Sequence, residues 1–134
     1  MSAPTRGSER LVALFVAVLW AAVVFAIDGL LAVILNAEPI AAGVGPYYAL
    51  IASALAGFAV WLVVSGTIRS RVPVWGAVAG AASVYFVFAI VAVPWGFPLV
   101  AQQLQSPFVI AAALLAAIAV VGTWAALRSL RWRR

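Results

Sequence analysis

Cysteine, histidine and lysine are absent from this 134-residue chain, and only three residues are acidic. Each absence closes a route. Without cysteine there is no disulfide, no thiolate nucleophile and no cysteine metal site. Without histidine as well, the usual zinc and copper sites cannot be built. Without lysine, a glycine-rich phosphate loop lacks the cation that completes it. The acids are Glu9, Asp28 and Glu38. They fall before, inside and after the first apolar run, so no two can form a catalytic carboxylate pair. No catalytic residue, no metal site and no cofactor is expected. Charge is scarce too: 8% of the chain is charged and 68% is hydrophobic. A soluble domain of this size needs far more charge to cover its surface. Here lipid is the expected solvent.

What is present is arginine, and its placement is informative. Arg6 and Arg10 precede the first apolar run, Arg69 and Arg71 separate the second from the third, and Arg128, Arg131, Arg133 and Arg134 follow the fourth. The connections Asn36–Pro46 and Pro94–Ser106 hold no basic residue. Cytoplasmic loops carry the excess of basic residues. The chain therefore reads as an all-α transmembrane four-helix bundle with both termini cytoplasmic, in a bacterial inner membrane. The net charge of +5 is explained by orientation and needs no nucleic acid.

The expected layout is a polar, disordered tail over 1–10, a transmembrane domain over 11–127 and a basic tail over 128–134. The spans are about 11–35, 47–68, 73–93 and 107–127, each near the ~20 residues that cross a bilayer. All seven prolines fall in tails, loops or first turns, so no span shows the broken-helix signature of many transporters. Pro46 fits a first turn. Ser70 and Pro73 are expected to open the third span, and Ser106-Pro107 reads as an N-cap followed by a first-turn proline. Leu99–Gln105 is expected to form a short surface helix with its three glutamines in water. The first segment also resembles a secretory signal with a cleavage site at Val24-Phe-Ala26, although its apolar run continues beyond it.

Aromatic residues agree with the arginines. Tyr47, Tyr48, Trp95 and Phe97 mark one interface; Trp75, Trp124 and Trp132 mark the other. Trp20 and Trp61 lie about 12–14 Å inside their helices, where they are expected to fill space and to pack against each other. Small residues supply packing faces, because apolar burial does not drive helices together in lipid. These are Ser53 and Gly57 on span two, with Ala49, Ala52 and Ala56, and the GxxxG of Gly76 and Gly80 on span three. The faces serve the bundle itself, a homo-oligomer or another membrane protein.

Asp28 is the only ionisable residue inside a span. An aspartate at a helix centre costs ~2.5–3.5 kcal/mol on insertion scales. It lies about 25 Å along the helix from Leu11, in the outer half of the bilayer. Ser53, Ser83 and Tyr85 are expected at similar depth, where a hydroxyl can hydrogen-bond the carboxyl in either protonation state. Asp28 is thus either a structural carboxyl tied to a hydroxyl or an intramembrane proton or cation site. The segment Arg128, Arg131, Trp132, Arg133 and Arg134 is expected to touch anionic lipid at the cytoplasmic face.

Through Asp28 and the four spans, the layout is similar to that of small multidrug-resistance transporters, which carry an acidic residue in their first span. Many of those work as antiparallel dimers with weak arginine and lysine bias. The strong bias here opposes that geometry. Polyprenyl-sugar flippase accessory proteins are also small four-span proteins with basic ends, but none of their motifs occurs. With arginine as the only base and abundant Ala and Val, the chain most resembles uncharacterised four-span proteins of high-GC actinobacteria. That resemblance implies a membrane protein and no activity. The expected role is a non-enzymatic helix-packing or accessory subunit. The alternative is a small proton- or cation-coupled transporter of a lipid-like or small solute using Asp28.

Overall fold

The computed structural model describes residues 5–37 and 46–133 and is helical almost throughout. Its elements are α1 (Arg6–Leu35), α2 (Pro46–Thr67), α3 (Val74–Ala92), a 3-10 turn (Val93–Trp95), α4 (Phe97–Gln105) and α5 (Pro107–Trp132). Four of them, α1, α2, α3 and α5, are long and apolar enough to cross a membrane. They form a ring in the order α1, α2, α3, α5, with α1 and α3 on opposite corners without close backbone approach. The short α4 lies across one end, against α3 and α5.

Two boundaries differ from the sequence reading. Helix α1 starts at Arg6 rather than near Leu11, because Thr5 caps it by accepting a hydrogen bond from the Ser8 N–H. Helix α5 runs on to Trp132, so Arg128 and Arg131 sit on its last turns and not on a loose tail. At ~1.5 Å per residue, the 30 residues of α1 extend about 45 Å, well beyond a hydrocarbon core of ~30 Å. Glu38 and Arg134 lie outside the described residues.

The turns are made by other means than expected. Ser70 does not cap α3: its hydroxyl donates to Val72 O at 2.9 Å and accepts from Val72 N at 3.3 Å, which shapes the loop. Ser106 occupies the N-cap of α5, but its side chain makes no cap bond, and Pro107 begins the helix. Gly96 holds φ +107°, a conformation open to glycine, and this reverses the chain from the 3-10 turn into α4.

The core is built from small and β-branched residues. Ala13, Ala17, Trp20 and Val24 of α1 meet Ala56, Val60 and Val64 of α2, Val84 of α3, and Ala112, Ala116 and Val120 of α5. Gly80 packs where a Cβ would lie 3.2 Å from Val120 Cγ2 and 3.8 Å from Ala116 O. At Gly76 a Cβ would overlap the Thr67 side chain, meeting its Cβ at 2.9 Å. Both glycines of the GxxxG are therefore used within the bundle.

Trp20 and Trp61 do not stack on each other. The Trp20 indole N–H donates to Ala112 O on α5 at 3.2 Å, and that of Trp61 donates to Arg10 O on α1 at 3.2 Å. Each is a cross-helix tie as well as a filler. Trp20→Phe keeps an aromatic ring and loses the donor, so it should cost roughly 0.6–1 kcal/mol. Thermal unfolding in detergent measures this. An unchanged midpoint would mean that the tie adds nothing.

All the described connections that carry arginine gather at one end of the bundle. Arg69 Nε lies 2.7 Å from Glu9 Oε2, Arg131 lies 3.9 Å from Glu9 Oε1, and the Trp124 N–H donates to Ser70 O at 2.9 Å. The start of α1, the α2–α3 loop and the end of α5 thus meet, and the described ends of the chain lie together.

Candidate functional site

Asp28 sits where the bundle opens. The buried stripe of α1, Ala13, Ala17, Trp20 and Val24, stops one turn before it. Beyond that point the outer part of α1 packs less closely. A cavity of about 540 Å³ lies between α1, α2 and α5 at this level. Its walls are mostly apolar: Trp20, Val24 and Phe25 from α1, Tyr48 and Ala49 from α2, and Phe108 and Val109 from α5. Two polar side chains join Asp28 there, Ser53 from α2 and Gln103 from α4.

Asp28 Oδ1 is buried and has no hydrogen-bond partner among the described residues. A buried polar atom without a partner is uncommon in a folded protein and calls for a reason. The cavity beside it is one: space for a ligand atom that would donate to the carboxyl.

The residues expected beside Asp28 are only partly brought together. Ser53 lines the same cavity but makes no bond to Asp28. Ser83 is half-buried on α3 and is not part of the wall. Tyr85 points elsewhere, its hydroxyl donating to Leu104 O on α4. Helix α3 stands across the ring from α1 without close backbone approach, and it reaches the cavity through Phe88 and not through Ser83 or Tyr85. Tyr48 also departs from expectation. It is 1% exposed, donates to Phe88 O at 2.9 Å and meets Trp95 edge-on at 5.5 Å, so it belongs to the core and not to an interfacial belt. Its neighbour Tyr47 is exposed.

Gln103 lines the cavity, which the sequence reading does not anticipate. It was placed in water with Gln102 and Gln105, yet it is 3% exposed while the other two are open. The signal was available: Leu99 and Gln103 stand four apart, so they share a face of α4, and Leu99 is buried. An amide can donate and accept, which complements an acceptor such as the Asp28 carboxylate.

No protein family, curated protein or solved structure matches the chain. Function must be argued from the site.

Ser65, Thr67 and Thr123 each donate to the carbonyl four residues back, at 2.7 Å in all three cases. They are satisfied within their own helices. A shallower groove of about 440 Å³ runs along the α1–α2 seam, past Ala17, Ala54, Gly57 and Trp61. Ala21 and Ser53 belong to both hollows, so the groove adjoins the Asp28 cavity.

Proposed function

We propose that this protein is a non-enzymatic, multi-pass component of a bacterial cytoplasmic membrane that takes a lipid-like or small solute into the Asp28 cavity, with proton or cation exchange at the carboxyl. Both termini face the cytoplasm in this reading, because the arginine-bearing connections gather at one end and basic residues favour that side. The observation that carries the proposal is the unpartnered Asp28 Oδ1 beside a largely apolar cavity. Binding sites are commonly apolar hollows with a few placed polar groups, and a carboxyl within a span is costly, so its retention favours a use.

The accessory-subunit reading has less behind it. Of the glycines on the expected packing faces, Gly57, Gly76 and Gly80, the last two are occupied by Thr67, Val63, Val120 and Ala116 of the same chain, and only at Gly57 would a Cβ meet nothing within 4 Å.

The test is purification in gentle detergent followed by mass spectrometry of the small molecules that travel with the protein. Wild type should carry a lipid-like molecule or small solute. Ala49→Phe, which fills the cavity from α2, should lose it while remaining folded. Asp28→Asn should fold and lose pH-dependent flux in proteoliposomes. Retention of the same molecule by Ala49→Phe, or co-purification of partner subunits alone, would refute the reading.

A further inference from the structure

A second site lies at the opposite end of the bundle, and it is made of charge. The α2–α3 loop and the last turns of α5 close around a recess of about 270 Å³ lined by Arg69, Arg71, Arg128 and Arg131 with Trp124 and Trp132. These side chains come from segments more than fifty residues apart, as the Trp124–Ser70 bond (separation 54) and the Arg128–Arg71 contact (separation 57) show. The recess is thus a product of the fold, beyond the local arginine run at the end of the chain.

Its electrostatics are unbalanced. Four guanidiniums line the recess, and among the described residues one carboxylate, that of Glu9, pairs with two of them, Arg69 and Arg131. Glu9 is nearly covered, its side chain 11% exposed, whereas Arg69 and Arg131 are 52% and 57% exposed. Arg69 uses only its Nε toward Glu9, which leaves its two terminal nitrogens open. Arg71 makes no side-chain hydrogen bond or ion pair among the described residues; its main-chain carbonyl lies 3.5 Å from Arg128 Nη1. The Arg128 guanidinium lies over the Trp124 ring at 4.8 Å, and, Nη1 toward Arg71 O apart, its N–H groups make no hydrogen bond among the described residues. The Trp124 ring and the Arg71 carbonyl hold Arg128 in place, so little of its freedom is lost when an anion arrives.

We propose that this recess binds a phosphate monoester group, with Arg71 and Arg128 as its principal donors and Arg69 and Arg131 at the rim. Guanidinium forks match phosphate oxygens in pairs. A monoester carries about −1.5 to −2 near neutral pH, so it offsets most of the charge that Glu9 leaves, and a diester with a single charge offsets less. The group can come from a monoester phospholipid of the adjoining leaflet or from soluble phosphate. The exposed Trp132 at the rim sits at the level where lipid headgroups lie.

The experiment uses the full chain in detergent, titrated separately with phosphatidic acid, phosphatidylglycerol and inorganic phosphate. Bound molecules are counted by native mass spectrometry, and tryptophan emission gives the affinity. One phosphatidic acid per chain is expected, bound about tenfold more tightly than phosphatidylglycerol. Arg71→Gln and Arg128→Gln should each weaken it by about tenfold. Arg133→Gln, on the same tail but outside the recess, should leave it unchanged. Thermal unfolding confirms that the variants are folded, and Arg71→Lys, which keeps the charge and loses the fork, should fall between. Saturation by inorganic phosphate with equal sensitivity to Arg71 and Arg128 identifies a soluble ligand for the same site. Equal binding of the two lipids, or an Arg133→Gln loss as large as that at Arg71, would show diffuse attraction to negative charge and overturn the proposal.

Discussion

Gly80→Leu should prevent the bundle from forming, and should not merely dissociate an assembly. Gly80 is buried between α2 and α5, where even one added carbon would stand 3.2 Å from Val120 Cγ2 and 3.6 Å from Val63 Cγ1. Leucine adds three carbons beyond that, toward the α5 backbone at Ala116 O. Overpacking in a well-filled core costs roughly 1–3 kcal/mol, and here the obstacle includes main chain, which cannot rotate away. In lipid the loss is felt fully, because close packing is the main source of helix association. Gly57→Leu and Gly122→Leu are the controls: a Cβ at either position meets nothing within 4 Å. Unfolding midpoint and particle mass, measured on the same samples, separate the outcomes. A folded Gly80→Leu monomer from a wild-type dimer would place Gly80 at an interface between chains and contradict the packing described above.

The spans were legible because a bilayer is a demanding solvent. Its thickness sets the shortest apolar run that α1, α2, α3 and α5 can have, and the cost of burying guanidinium keeps arginine at the ends. Rotation of each helix about its axis was not legible. In a soluble helix the buried face is the apolar one. In lipid the outer face is as apolar as the inner: Leu14, Phe15, Val18 and Leu19 are all exposed on α1, beside the buried Ala17 and Trp20. Hydrophobic periodicity therefore says little, and Tyr47 and Tyr48 could not be told apart. The same blindness affected the site. Asp28 stood out as the one charge within a span, but its companions were chosen by depth alone. Ser53 proved a neighbour, Ser83 and Tyr85 did not, and Gln103 arrived on a short helix that had been assigned to water.

Asp28→Leu should leave the protein more stable than wild type and without function. The usual expectation for a buried polar residue is the reverse, since removing one partner of a bond strands the other. At Asp28 no partner is stranded: Oδ1 has none among the described residues, and the carboxyl borders open space of about 540 Å³. Leucine removes a carboxyl whose placement in a span costs ~2.5–3.5 kcal/mol at the helix centre, and it adds apolar volume to an apolar wall. A gain of about 1–3 kcal/mol, the desolvation cost of an unsatisfied group, is expected. Chemical unfolding in a fixed detergent measures it, alongside the flux assay used for Asp28→Asn. Stability held back for function is a common trade at working sites. A carboxyl retained for structure behaves in the opposite way. If Asp28→Leu lowers stability by a similar amount, the carboxyl is tied to a group that holds the helices together, and the cavity beside it loses its claim to be a site.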